Sequence, residues 1–141
     1  MKQTLLTFAL AAACGVPKAV SPLWLRASAI SPDGKTICFA YKGDLFTVPA
    51  AGGQARQLTS NAAWDGSPVW SPSGKQIAFA SEREGSLDIY LINADGGGLQ
   101  RLTTHSGTEK PLAFLTEDEV IYTSTGLPAA ASFKHVSPAG A

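Results

Sequence analysis

The residues able to do chemistry in this 141-residue chain are few and scattered. Its two histidines, His105 and His135, fall where the pattern predicts a connection and an edge segment. A serine–histidine–aspartate triad needs a local signature to be credible, and none is present. The chain has no Gly-x-Ser-x-Gly elbow, no His-Glu-x-x-His, no Cys-x-x-Cys pair and no phosphate loop ending in Gly-Lys-Ser/Thr. We therefore assign no catalytic residue, no metal ligand and no cofactor site from the sequence. The two cysteines, Cys14 and Cys38, stand 24 residues apart, which supports no disulfide framework. Cys38 alternates with Ile37 and Phe39 and reads as a small buried hydrophobe. Asp95-Gly96-Gly97-Gly98 has the composition of an anion or calcium loop, but Leu91 takes the first ligand position and no helix follows. It reads as a hairpin turn.

What positions these residues is an internal repeat. Ala27 to Thr59 and Ser67 to Thr103 are two copies of one unit. Ser31-Pro32 matches Ser71-Pro72 and Ile37/Phe39 matches Ile77/Phe79 at an offset of 40, whereas Asp44 matches Asp88 and Leu58-Thr59 matches Leu102-Thr103 at 44. The change of offset places a four-residue insertion between Phe79 and Asp88. A period of this length marks propellers and other repeat arrays.

Each unit reads as four short antiparallel strands, one propeller blade. In the first, Ser28–Ser31, Thr36–Tyr41, Asp44–Pro49 and Arg56–Thr59 are separated by Ser31-Pro32-Asp33-Gly34, Lys42-Gly43 and Ala51-Gly52-Gly53. Proline fixes the first corner of a turn, and Gly34 accepts the left-handed conformation that closes it. The second has Ser67–Trp70, Gln76–Ser81, Leu87–Ile92 and Leu99–Thr103. Its inner strands are apolar at consecutive positions, which requires cover on both faces. A third unit begins at Pro111, with strands at Pro111–Phe114, Glu119–Ser124 and Ser132–Val136, and stops before a fourth. The expected architecture is all-β: a partial β-propeller of about two and a half four-stranded blades, with blade one at 27–59, blade two at 67–103 and an incomplete blade three at 111–141. Closed propellers have about four to eight blades, so the chain reads as an N-terminal fragment of a longer protein.

Residues Met1 to about Ser21 precede the repeat as a signal peptide, with Lys2 before the apolar Leu5–Ala13. That core is too short to span a bilayer. Ala11-Ala12-Ala13-Cys14 resembles a lipoprotein processing site and Ala19-Val20-Ser21 an ordinary one, so an exported periplasmic protein is expected, with lipid anchoring as the alternative. Eleven acids balance eleven bases in no long run, which gives no reason to propose nucleic acid as a partner.

The repeat places the remaining candidates. Asp44 and Asp88 open the third strand of each unit, where they line the ring or accept backbone N–H bonds from the adjoining turn, and repetition favours the second reading. Trp70 and Phe114 read as packing between blades. Trp64 and Asp65 fall in a connection between units, where such segments can line the mouth of a propeller. They are the binding candidates, with capping of the first blade as the plainer role of Trp64.

Ser31–Lys35, Ser71–Lys75, Asp88-Ile89-Tyr90, Asn93–Gly96 and Arg101-Leu102-Thr103 resemble the WD-like repeats of TolB-type propellers. More narrowly, Gly43–Ala50 with Gly52-Gly53 and Arg56–Thr59, and Ala113, Phe114, Thr116 and Asp118, are similar to the N-terminal propeller of tricorn-protease homologues. The resemblance covers residues 27–124. It implies a propeller that precedes a PDZ-like domain and a serine peptidase core, and that filters or channels peptides. None of that catalytic region matches here. The function expected is a non-catalytic propeller segment of an exported tricorn-like serine peptidase, its partners a peptide or protein and the remaining propeller and peptidase domains. The alternatives are a TolB-type envelope interaction propeller and part of a propeller hydrolase or lyase.

Overall fold

The computed structural model describes residues 25–125 and the strand 133–136. The expected leader with Cys14, and residues 22–24 and 126–132, lie outside the described residues. Eleven strands and no helix occur among the described residues: β1 (Leu25–Ile30), β2 (Thr36–Tyr41), β3 (Asp44–Pro49), β4 (Arg56–Gln57), β5 (Asp65–Trp70), β6 (Gln76–Ser81), β7 (Asp88–Asn93), β8 (Gln100–Arg101), β9 (Glu109–Thr116), β10 (Glu119–Ser124) and β11 (Phe133–Val136). They form three antiparallel sheets in the orders β1-β2-β3-β4, β5-β6-β7-β8 and β11-β10-β9. The fold is the partial β-propeller that the repeat predicts.

Turn chemistry fixes the register of the first two sheets. Gly34, at φ 72°, donates its N–H to the Ser31 carbonyl at 2.8 Å. The Ser31 hydroxyl donates to Asp33 at 2.6 Å and accepts the Thr36 N–H at 2.9 Å. That hydroxyl, then the Lys35 N–H, holds the Asp33 carboxyl below its ordinary pKa. In the second sheet Gly74 closes the same turn on Ser71 at 2.9 Å. Ser73 replaces the aspartate and is held by Glu117, in the turn between β9 and β10, which accepts its N–H and its hydroxyl.

Several strand limits differ from the sequence reading, for identifiable reasons. β1 starts at Leu25 rather than Ser28, and β5 at Asp65 rather than Ser67, because both strands run through a bulge that hides their period. Ala27 (φ 41°) and Ser67 (φ 52°) are the left-handed residues of those bulges, at matching places in the repeat. β4 and β8 are only two residues long. Beyond them the Leu58 and Leu102 N–H groups donate to the Leu45 and Ile89 carbonyls at 2.8 and 2.7 Å, and a side chain completes the pairing: Thr59 Oγ1 accepts the Leu45 N–H and Thr103 Oγ1 the Ile89 N–H, each at 2.9 Å. This is the physical content of the repeated Leu-Thr.

The sheets pack face to face as consecutive blades, with β1, β5 and β9 as neighbouring inner strands. Ile77, Phe79, Tyr90 and Ile92 of the second sheet meet Cys38, Ala40, Leu45 and Leu58 of the first, with Trp70 alongside. On its other face Ala78, Ile89, Leu91 and Leu102 meet Val120 and Tyr122 of the third, flanked by Val69 and Phe114. The middle blade is therefore covered twice, which is why β6 and β7 carry consecutive apolar residues rather than alternating ones. Cys38 is fully buried in the first interface, and burial pushes its thiol pKa up to about 12. It packs as an inert hydrophobe. Trp70 adds a polar tie, its indole N–H donating to the Ala29 carbonyl of β1 at 3.0 Å.

Candidate functional site: one mouth of the propeller

Antiparallel topology sends the starts of β5 and β9, the connections before them and the β2–β3 and β6–β7 hairpins to one end of the molecule. Backbone bonds stitch these segments together from blade to blade. The Asp65 N–H donates to the Gly43 carbonyl at 2.7 Å, and one unit later the Glu109 N–H donates to Leu87 at 2.8 Å. The carbonyls of Trp64 and Thr108 accept the N–H groups of Glu82 and Thr125, each at 3.1 Å. Ser86 donates to the His105 carbonyl at 3.2 Å. This end is thus a repeated, hydrogen-bonded mouth.

Trp64 lies in the connection and is half-buried, whereas Asp65 is the first residue of β5 and fully buried. The Trp64 ring lies over Gly66, where an added Cβ would fall 2.4 Å from indole carbons. Only a residue without a side chain lets the indole lie flat there. The Asp65 carboxylate is taken up by Arg83 of the β6–β7 hairpin: Nη2 reaches Oδ2 at 2.6 Å and Nε lies 3.4 Å from Oδ1. Nε also donates to Ser81 Oγ at 3.1 Å. The guanidinium lies 5.7 and 5.6 Å from the ring centres of Phe79 and Tyr90, within cation–π range. An acid, a hydroxyl and two rings thus surround one arginine.

Among the described residues, the third blade repeats this arrangement without an arginine. Glu109 pairs with Ser124 across β9 and β10 as Asp65 pairs with Ser81 across β5 and β6. Glu109 is fully buried, and neither carboxylate oxygen has a hydrogen-bond partner, nor has Ser124 Oγ. His105 Nδ1 lies 3.9 Å from Oε1, too far for a hydrogen bond. Its ring is 54% exposed. Tyr122 lies close enough for the Glu109 charge to raise its phenol pKa, after the larger effect of burial.

The other candidates have structural partners. Asp44 accepts the Asn61 N–H at 3.2 Å and the Gln57 side chain at 3.1 Å. Asp88 is buried and takes Arg101 Nη2 at 2.7 Å instead of a turn amide, leaving Oδ1 without a partner. His135 is in β11, opposite Ile121. Among the described residues no group of three or more His, Cys, Asp or Glu is placed to hold a metal ion. At the opposite end a groove of about 480 Å³ runs between the first two blades, past Asp33, Trp70 and Ser73. Arg56 closes part of it by donating to the carbonyls of Ala94 and Asp95 at 2.7 and 2.9 Å. Sequence reading missed Arg83 and Glu109. The offset of 44 that links Asp65 to Glu109 was present as a signal, but both lie outside the aligned copies.

The comparisons with known proteins agree with this architecture. Tricorn protease homolog 1 of Streptomyces coelicolor is 29% identical over 89 residues, covering 63% of this chain and 8% of that protein. A solved structure described as TolB from Agrobacterium tumefaciens superposes with a TM-score of 0.64 at 26% identity, over 74% of this chain and 40% of that one. The crystal structure of the tricorn protease shares the fold, with a TM-score of 0.57 at 19% identity, over 71% of this chain and 11% of that one. The chain thus spans less than half the length of each. No helix of the described residues is long and apolar enough to cross a membrane. The family described as the tricorn protease N-terminal beta propeller domain matches residues 22–140, and with its blades and their order as described, this chain belongs to that family.

Proposed function

We propose that the chain is the first part of the propeller of an exported tricorn-like serine peptidase, and that its mouth receives peptide on the way to peptidase domains elsewhere in the parent protein. The family match over residues 22–140 carries this reading. Export rests on the signal-peptide pattern of residues 1–21, and the periplasm is the compartment proposed. The chain contributes recognition and leaves bond cleavage to other domains. In this reading Trp64 offers the apolar contact surface, and Asp65 fixes Arg83 beside it. A second reading, a TolB-type propeller that binds envelope proteins, is favoured by the TM-score of 0.64 to the Agrobacterium structure.

Fluorescence anisotropy of a labelled, unstructured casein peptide tests the peptide reading. Saturable binding that weakens at least tenfold in Trp64→Ala, about 1.4 kcal/mol, is the expected result. No binding, or binding indifferent to Trp64, overturns it and leaves the envelope-protein reading in place.

A further inference from the structure

We propose that Glu109, Ser124 and Tyr122 form an arginine-binding site at the mouth, which takes the guanidinium of a bound peptide. The site rests on the reading of this mouth as peptide-receiving and narrows its substrate class to peptides containing arginine.

The second blade shows what the constellation holds. There a guanidinium lies between Asp65, Ser81 and the ring of Phe79. In the third blade Glu109 stands for Asp65, Ser124 for Ser81, and Tyr122, two residues before Ser124, for Phe79. The backbone is tied down the same way, Glu109 to Leu87 as Asp65 to Gly43. Among the described residues, only a counterpart of Arg83 is missing. Arg83 follows Ser81 by two residues, but the residue two beyond Ser124 is Gly126, and Gly126–Ser132 reads Gly-Leu-Pro-Ala-Ala-Ala-Ser, without a base.

The consequence is visible in the hydrogen bonding. Both Glu109 oxygens and Ser124 Oγ are buried without partners, and they are the counterparts of the atoms that grip Arg83. A buried carboxylate with no donor is costly, and a cation that hydrogen-bonds both oxygens removes that cost. A guanidinium suits the place better than an ammonium, because it is planar, carries five N–H donors and stacks on an aromatic ring while binding a carboxylate bidentately. The more than half-exposed His105, 3.9 Å from Oε1, brings solvent to within one side chain of the carboxylate.

The test is calorimetric titration of the full chain with N-acetyl-L-arginine amide, against the uncharged isostere N-acetyl-L-citrulline amide. Arginine amide should bind at least tenfold more tightly than citrulline amide. Glu109→Gln should abolish that preference and Ser124→Ala should reduce it, while Asp118→Asn, at the opposite end, should leave it unchanged. Glu109→Gln keeps the side-chain shape and removes a buried carboxylate that no donor hydrogen-bonds, so its melting temperature should not fall. Should it nonetheless fail to fold, the wild-type comparison decides alone. Equal binding of the two amides, no binding of either, or a preference that survives Glu109→Gln overturns the site. Trp64→Ala separates the two proposals: it should weaken the casein peptide and leave the capped arginine untouched. Arginine selectivity without any peptide binding would refute the peptide mouth and keep the site.

Discussion

Among single side chains, Arg83 and Asp65 form an ion pair within the mouth. The carboxylate is fully buried and the arginine side chain 13% exposed, so the pair is largely shielded from solvent. Truncating one member of such a pair strands the other, which costs about 3–5 kcal/mol, whereas replacing both with neutral groups costs far less. Arg83→Met should therefore destabilise the chain by about 3 kcal/mol, and adding Asp65→Asn should recover most of that loss. Urea unfolding of the two single variants and the double variant measures the coupling. Additive losses would mean that the contact contributes little. Glu109 is the same problem one blade on, with the cation left out. The two acids differ in that Asp65 has its arginine whereas no group hydrogen-bonds Glu109.

At the scale of strands and turns, the repeated Leu-Thr explains how a two-residue outer strand is held. Thr103 Oγ1 accepts the buried Ile89 N–H, so Thr103→Val keeps the shape and leaves a buried donor unmet. The expected cost is about 1–3 kcal/mol, while Thr104→Val next to it, exposed, should stay within about 0.5 kcal/mol of wild type. Thermal unfolding compares the two. This scale was also the most legible in sequence. β2, β3, β6 and β10 fall on the residues where their apolar runs and flanking turns place them. β1 and β5 extend beyond the sequence expectation because bulges at Ala27 and Ser67 put left-handed residues inside the strands, which an alternating pattern does not reveal. Trp64 and Gly66 were visible as residue types. Their stacking was not, because it depends on how the connection turns into β5.

For the whole molecule, what repeats is packing, and each blade buries its faces only against a neighbour. The middle blade has two neighbours. The first has one: Phe39 and Phe46 stack at 5.8 Å between ring centres, and with Leu25, Tyr41 and Ala55 they line an apolar hollow of about 240 Å³. Their counterparts in the middle blade, Phe79 and Tyr90, are buried. On the other side Leu112 and Leu115 of β9 are exposed. Apolar faces of this kind drive association, so the isolated chain should sediment as concentration-dependent oligomers. Phe39→Lys should shift it toward monomer. A stable wild-type monomer with a sharp melting transition would contradict this. The site was less legible than the blades for a related reason. A repeat reveals the positions that packing needs, whereas Glu109 stands out only when a structure shows that its partner has not been repeated.

The central functional claim is that the end of the propeller carrying Trp64, Asp65 and Glu109 receives peptide. Hydrogen exchange by mass spectrometry, with and without a saturating arginine-containing peptide, tests it most directly. Protection should appear in 60–66, 82–87 and 104–109, with 31–35, 71–75 and 94–98 unchanged. Protection confined to those opposite-end turns, or none anywhere at saturation, would contradict the account.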